Sequence, residues 1–231
     1  MNQEELKSNI LKSLKDKSTV KQLVHDNTLK VLADIKEILH ELEREFNKKL
    51  QDADERVRLE YTDNGIYGAQ LKIAGDLLIF AMHSNIFEFD RSHGVWKTSY
   101  VKADRMASYC GIINVYNFLS DSIKYNRNQD LGYLVGRLFI NKDLNYFTEG
   151  KRQLGFFFNN FGNEMMNESS LTHIINLAIN YTLEFDLLVP PYDTVKIASV
   201  EQISDRIQLS KLRTGKRLGF QFNSDDVSTS G

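Results

Sequence analysis

The chain has 231 residues, of which 42% are hydrophobic and 26% are charged, as in an ordinary globular protein. Its formal net charge of −2 excludes a global attraction to nucleic acid or to acidic membranes, so any such binding must be local. The single cysteine, Cys110, excludes an internal disulfide and is expected to be a small buried residue. The sequence lacks an apolar run of about 18 residues, and its charged N-terminus lacks the apolar core of a secretory signal. We therefore expect a cytoplasmic protein.

Residues 1–55 are predicted to form a helical region. Apolar residues recur every three or four positions after Val24, which places them on one face of a helix of about 30 residues. A shorter helix is expected before it, with a break at residues 16–19 and with Ser18 or Thr19 as the cap of the second helix. The apolar stripe is wider than a coiled-coil seam, which favours packing on a sheet or bundle. Dimerisation through this region stays open.

Residues 56–222 are predicted to form an antiparallel sheet followed by helices. Alternating residues on both sides of the Asp-Asn-Gly sequence at 63–65 predict a β-hairpin. Further strands are expected at 77–89, within 90–101, and at 109–119, 131–140 and 144–150. Strands that follow one another between helices are typical of an α+β domain. The expected fold is therefore an antiparallel β-sheet flanked by a long N-terminal helical region and C-terminal helices.

The C-terminal helices are predicted near 169–187 and 199–213, before a flexible tail at 223–231. Ser169 or Ser170 is expected to cap the first of them. The sequence contains neither a glycine-rich phosphate loop nor a dinucleotide fingerprint. This argues against an ordinary nucleotide-binding α/β enzyme.

A basic and aromatic phrase occurs twice, as GKRQLGFFF at 150–158 and as GKRLGFQF at 215–222. Cations can neutralise phosphates while exposed aromatic rings stack on bases, a combination that suits single-stranded nucleic acid. The candidate binding residues are two cation pairs and two rings: Lys151, Arg152, Lys216, Arg217, Phe156 and Phe220. The alternative interpretation is that the cations lie in exposed turns while the rings enter the core.

Glu149 and Lys151 have the Glu-x-Lys spacing found in restriction-type nucleases. Residues two apart on a strand share one face, so both side chains could meet one metal-bound phosphate. If Lys142–Asp143 is a two-residue turn, Glu149 lies opposite Gly136, and only an acid from another strand, such as Asp121, could complete the site. A metal-dependent nuclease is therefore the enzymatic alternative.

Histidines and aromatic residues suggest two further sites. His83 and His93 flank a segment that contains Glu88 and Asp90, and four such side chains can form a metal site. Their spacing differs in parity, so they do not share one strand face without a bulge, and we expect no metal. The 14 phenylalanines and 10 tyrosines predict either an aromatic-lined pocket or a large core with tyrosines at its rim.

Taken together, these patterns indicate a protein that acts by binding rather than by catalysis. We expect it to work without a cofactor, as a homo-oligomer associated through its N-terminal helices, and to have no membrane partner. Its expected partner is single-stranded nucleic acid or a protein, bound through the basic and aromatic residues. The alternatives are the nuclease and a structural or adaptor protein that docks through its long helix.

Overall fold

A computed structural model of the chain describes residues 2–127, 130–155 and 161–184, and the backbone of two short strands near the C-terminus. In these residues the helices are α1 (Gln3–Ser13), α2 (Thr19–Lys49), α3 (Ser99–Ala103), α4 (Ser120–Lys124) and α5 (Glu168–Glu184). The strands are β1 (Leu59–Asp63), β2 (Gly68–Ile73), β3 (Asp76–Met82), β4 (Phe87–Glu88), β5 (Tyr109–Leu119), β6 (Tyr133–Asn141), β7 (Tyr146–Gly150), β8 (Leu187–Leu188) and β9 (Phe220–Gln221). The helix predicted at 199–213 and the tail lie outside the described residues.

Seven strands form an antiparallel sheet in the order β1-β2-β3-β5-β6-β7, with β4 also paired to β5. The predicted α+β class is confirmed. The hairpin predicted at 63–65 joins β1 to β2, and Gly65 has a φ of +80°, a conformation that glycine adopts at little cost. The two short strands β8 and β9 pair in parallel as a separate ladder.

Helix α2 packs against the sheet of its own chain. Its apolar stripe contributes buried residues to the core it shares with the sheet and α5: Val31, Leu32, Ile35, Ile38, Leu39 and Leu42. The helix approaches β5 so closely that a Cβ atom on Gly111 would lie 2.0 Å from the Oγ1 atom of Thr28. The hydroxyl of Thr28 donates back to the Val24 carbonyl at 2.7 Å, so the close contact leaves no unpaired hydroxyl proton.

The same helix covers the outer edge of the sheet. Asn47 donates to the Leu59 carbonyl at 2.9 Å and accepts from the Leu59 amide at 2.9 Å. One turn earlier, the Glu43 carboxylate accepts from the Tyr61 amide at 3.1 Å. These side chains replace a neighbouring strand, and so they satisfy backbone groups on β1 that could otherwise pair with another chain.

The predicted break between α1 and α2 is wrong. The helix continues through a π-helical turn at Leu14–Ser18, and Ser18 has helical φ and ψ of −71° and −38° without a capping bond from its side chain. The real N-cap is Asn2, which exchanges side-chain and backbone hydrogen bonds with Glu5 at 2.8 and 2.9 Å. A π turn absorbs one extra residue without ending the helix, so the polar residues at 16–19 do not interrupt it.

Two strand predictions also need correction. The strand predicted at 77–89 ends at Met82, and strand pairing with β5 resumes only at Phe87, so the prediction joined two strands that four residues separate. The strand predicted within 90–101 is helical, with a 3₁₀ turn at Gly94–Lys97 followed by α3. Thr98 explains the difference, because its hydroxyl oxygen accepts from the Val101 amide at 3.3 Å and begins a helix.

Helix α5 begins one residue before its predicted start, and its cap is neither predicted serine. The Asn167 side chain accepts from the Ser170 amide at 2.9 Å, and the Ser170 hydroxyl accepts from the Asn167 amide at 3.2 Å. In the part of the chain that the structure describes, no helix is both long enough and apolar enough to cross a bilayer.

Candidate functional site

A cleft of about 640 Å³ lies on the face of the sheet opposite α2. On β5 and β6 the lining residues Ile112, Arg137 and Phe139 alternate with residues that pack beneath the helix, so these two strands have one face in the core and one face at the cleft. The lining comes from β4 and the turn after it, and from β5, β6 and β7: Phe87, Glu88, Phe89, Asp90, His93, Ile112, Arg137, Phe139, Phe147, Thr148, Glu149, Gly150 and Gly155.

Aromatic rings form the floor of the cleft. Phe139 and Phe147 lie on neighbouring strands and stack with ring centroids 4.6 Å apart. Phe89 packs on both at 5.2 and 5.5 Å, and the His93 ring stacks on Phe89 at 4.6 Å. Phe147 is only 2% exposed and Phe139 is also buried, so these two rings belong to the core. Phe89 is half-buried.

Phe87 lies at the entrance of the cleft and is 37% exposed. Its backbone pairs with Cys110 on β5, and its ring meets His83 edge to face at 4.7 Å. The following turn is held by Trp96, whose indole N–H donates to the Phe89 carbonyl at 3.1 Å. Phe87 and Phe89 are therefore fixed aromatic groups that a planar ligand could contact.

Carboxylates and one guanidinium group surround the rings. Arg137 and Glu149 face each other across β6 and β7 and form an ion pair at 3.1 Å. Glu88 accepts a hydrogen bond from the Tyr109 hydroxyl at 3.0 Å. The Ser92 hydroxyl and backbone amide hold the pKa of the Asp90 carboxyl below its usual range, so this carboxyl is ionised at neutral pH.

Lysines lie near two residues that line the cleft. Tyr109, which is hydrogen-bonded to Glu88, lies on the face of the sheet that α2 covers, and the ammonium groups of Lys17 and Lys21 lie 5.5 and 5.6 Å from the centre of its ring. The hydrogen bond and charge of Tyr109 raise the pKa of Lys17, so its cation persists at neutral pH. The exposed Lys151 follows directly after Gly150 and lines a second, smaller pocket beside α5. The cleft thus combines aromatic rings with nearby cations, Lys17 close to Glu88 and Lys151 next to Gly150.

Of the residues predicted from the first basic phrase, Lys151 is exposed and Arg152 is committed to α5. The Arg152 guanidinium pairs with the Glu184 carboxylate and lies 5.5 Å from the centre of the Tyr181 ring. Arg152 has a φ of +51°, which turns the chain after β7. Arg152 therefore has a charged partner on α5, whereas Lys151 follows a lining residue of the cleft.

The other predicted binding residues are not placed by the structure. Phe156, Lys216 and Arg217 lie outside the described residues, and Phe220 is described only by its backbone, which pairs with Leu187. Binding through the second basic phrase therefore stays a prediction.

The predicted register of the β6–β7 hairpin is wrong by one residue. Glu149 lies opposite Arg137, and Gly136 lies opposite Gly150. The reason is a longer turn, in which the Asn141 side-chain oxygen accepts from the backbone amides of Asp143 and Asn145 at 3.0 Å each.

Asp121 does not join Glu149 and Lys151. The register places Arg137 opposite Asn114 on β5, whereas Asp121 is a buried residue of α4, beyond the far end of that strand. Strand rise separates the two positions by roughly 15 Å or more. The acid that the nuclease alternative requires is therefore not supplied by Asp121.

The histidine segment also departs from a metal site. His83 and His93 each accept a backbone N–H bond through Nδ1, from Asn85 at 3.0 Å and from Val95 at 3.3 Å. Within the described ranges, no group of three or more His, Cys, Asp or Glu side chains is arranged to hold a metal ion. Cys110 is fully buried, and burial raises the pKa of its thiol.

Sequence reasoning missed most of the cleft. It predicted either an aromatic-lined pocket or a core with tyrosines at its rim, whereas the rings exposed at the cleft are Phe87 and Phe89. A signal was present, because Phe87 and Phe89 are two apart and can share one side of an extended segment. The approach of Lys17 and Lys21 to Tyr109 had no such signal, since only folding brings the π turn and the start of α2 beside β5.

Comparisons with protein-family models, with curated proteins and with solved structures find no match to this chain, so its geometry alone carries the functional argument.

Proposed function

We propose that this protein is a non-enzymatic binding module for single-stranded nucleic acid. The observation that carries the proposal is the aromatic cleft, with Lys151 directly after the lining residue Gly150 and Lys17 close to the lining residue Glu88. Proteins that bind single strands combine such rings, which stack on bases, with cations along the backbone path.

An unstacked base fits the chemistry of the cleft. Phe87 and the half-buried Phe89 offer ring faces near the entrance. The carboxylates of Glu149 and Asp90 can accept hydrogen bonds from the amino groups at the edges of cytosine, adenine or guanine. We expect a base in this position to leave its phosphates outside the cleft, within reach of the exposed Lys151.

The overall charge of the chain limits the affinity. With a formal net charge of −2, the protein does not attract a polyanion from a distance, so the contacts must come from a few local cations. We therefore expect weak binding that salt reduces, with a shallow dependence set by a small number of phosphate contacts.

The test is fluorescence anisotropy of labelled single-stranded RNA and DNA at low and moderate salt. Phe87→Ala should weaken binding by roughly 5- to 150-fold, because stacking contributes about 1–3 kcal/mol per base. Lys151→Ala should weaken binding and reduce the slope of log affinity against log salt by about 0.7, the value for one phosphate contact on a single strand. Lys48→Ala, at an exposed position on α2, is the matched control and should change neither.

Three outcomes would count against the proposal. They are no binding at low salt, equal binding by the wild type and the Phe87 variant, and equal loss in the Lys48 control. Adding Mg²⁺ or Mn²⁺ to the same samples tests the nuclease alternative, because cleavage that Glu149→Gln abolishes would indicate an enzyme.

A further inference from the structure

A second, smaller cavity, which we call the loop pocket, lies between the loop at 151–154 and the last two turns of α5. Its volume is about 180 Å³, below the roughly 300 Å³ at which sites for drug-sized ligands begin, so it suits a small group rather than a second base. The loop joins it to the cleft, because Gly150 and Gly155 line the cleft while the residues between them line the loop pocket. Helix α5 contributes four lining residues: Leu177, Asn180, Tyr181 and Glu184.

An anion of the chain itself is held at the loop pocket. One oxygen of the Glu184 carboxylate accepts from the Arg152 guanidinium, and the other accepts from the Asn180 amide at 2.9 Å. The Arg152 guanidinium also lies over the Tyr181 ring, 5.5 Å from its centre. Phosphate groups accept hydrogen bonds from arginine in the same forked manner as carboxylates do. The donors that hold Glu184 are therefore donors that a phosphate group could use.

The Glu184 carboxylate is weakly held. The side chains of Arg152 and Glu184 are 60% and 52% exposed, and exposed ion pairs contribute little to stability. Glu184 is also the last residue of α5, where the helix dipole disfavours a negative charge. A phosphate of a ligand is not tied to the end of α5, and it can also meet Lys151, the exposed neighbour of Arg152 that lines the same pocket. Replacing the carboxylate by a phosphate thus exchanges a weak contact for one with two cations.

From these contacts we propose that the loop pocket binds a phosphate group of the single strand whose base lies in the cleft, and that Glu184 competes with this phosphate for Arg152. The proposal rests on the proposed function, because the phosphate belongs to the strand that the cleft holds. Lys151 and Arg152 neutralise the phosphate beside the stacked base, which is how proteins that bind single strands follow the backbone. The Glu184 carboxylate is an internal competitor that lowers the affinity for the strand.

Neutralising the competitor should tighten binding in the anisotropy assay. Glu184→Gln should lower the dissociation constant by about 2- to 5-fold, because the phosphate no longer has to break an exposed ion pair. Arg152→Ala should raise the dissociation constant and reduce the slope of log affinity against log salt by about 0.7, the value for one phosphate contact. If the ion pair only held the loop against α5, both substitutions would weaken binding. The opposite signs therefore separate a phosphate site from a purely structural contact.

Glu168→Gln is the matched control, because it removes the same charge from an exposed position at the other end of α5, roughly 24 Å away. It should leave the dissociation constant unchanged. In the double variant Glu184→Gln/Arg152→Ala, the gain from Glu184→Gln should disappear, because the guanidinium group that it releases is absent. Circular dichroism checks that each variant folds.

Phe87→Ala in the same assay separates the loop pocket from the cleft. If Phe87→Ala weakens binding while Glu184→Gln binds no better than Glu168→Gln, the cleft remains the binding site and the proposal for the loop pocket is overturned. If the wild type does not bind, or if it binds equally well without the Phe87 ring, both proposals fail.

Amide signals in nuclear magnetic resonance spectra distinguish a phosphate of the strand from free phosphate. An oligonucleotide with natural linkages should shift the signals of residues 151–154 and of Phe87. An oligonucleotide with neutral methylphosphonate linkages should shift the signal of Phe87 and leave those of residues 151–154 in place. If residues 151–154 respond to inorganic phosphate at constant ionic strength but to neither oligonucleotide, the loop pocket takes free phosphate, and its place on the path of the strand is overturned.

Discussion

At the scale of single residues, a buried amide organises the β6–β7 turn. Asn141 is fully buried, and its amide nitrogen donates to the Tyr100 hydroxyl oxygen at 2.9 Å and to the Ala107 carbonyl at 3.2 Å. The Tyr100 hydroxyl in turn donates to the Asp143 carboxylate. Each of these groups has a partner, so the network stabilises one conformation of the turn and thereby the register of Glu149 at the cleft.

The Tyr100 phenol gives a prediction about pH. Burial and the hydrogen bond to Asp143 raise the pKa of Tyr100 to about 12. The hydrogen bond from Asn141 has a smaller effect in the opposite direction and lowers the pKa. A raised pKa means that folding favours the neutral phenol, so this contribution is complete below about pH 10 and is lost as the pH rises through 12. The free energy of unfolding of the wild type should therefore fall between pH 10 and 12 relative to that of Tyr100→Phe.

Urea titrations of the wild type and of Tyr100→Phe between pH 10 and 12 measure this difference in the free energy of unfolding. Tyr67→Phe, which removes a hydroxyl from an exposed ring, controls for the titration of the rest of the chain. If the free energies of unfolding of the wild type and of Tyr100→Phe changed equally between pH 10 and 12, the raised pKa of Tyr100 would be contradicted.

At the scale of elements, α2 both covers the core and closes the edge of the sheet at β1. Asn47→Ala removes a reciprocal pair of hydrogen bonds and leaves two backbone groups of Leu59 without these partners. We expect a loss of about 1–3 kcal/mol in the free energy of unfolding. Light scattering should also increase on heating, because the edge of β1 becomes available to another chain.

The neighbouring substitution Lys48→Ala is the matched control, since Lys48 is exposed on the same turn of α2 and should change stability by less than about 0.5 kcal/mol. Equal stability of the two variants would show that water replaces the Asn47 side chain without cost.

The contrast between α2 and the cleft shows which features the sequence predicts. The spacing of Val31, Ile35 and Leu42 indicated a long helix that packs on one face, because helix period and burial are local properties of the chain. Strand β5 was predicted with its observed bounds, 109–119, for the same reason. The break at 16–19 was not real, because a π turn has no distinct sequence pattern.

At the scale of the whole molecule, the candidate site depends on features that local patterns do not determine. The register of Glu149 follows from a turn whose length is set by side-chain bonds of Asn141. Lys17 and Lys21 come from the π turn and the start of α2, about 90 residues away from Tyr109 in the chain. Only the exposed position of Lys151 could be predicted directly from its place in a basic turn.

The measurement that tests the central proposal most directly is photo-cross-linking of a single-stranded oligonucleotide that contains 4-thiouridine, followed by identification of the modified peptides. If a base occupies the cleft, the cross-links map to the segments that carry Phe87, Phe89 and Phe147, and competing unlabelled oligonucleotide suppresses them. Cross-links confined to other surfaces, or none at an oligonucleotide concentration that saturates binding, would contradict the assignment of the cleft as a nucleic-acid site.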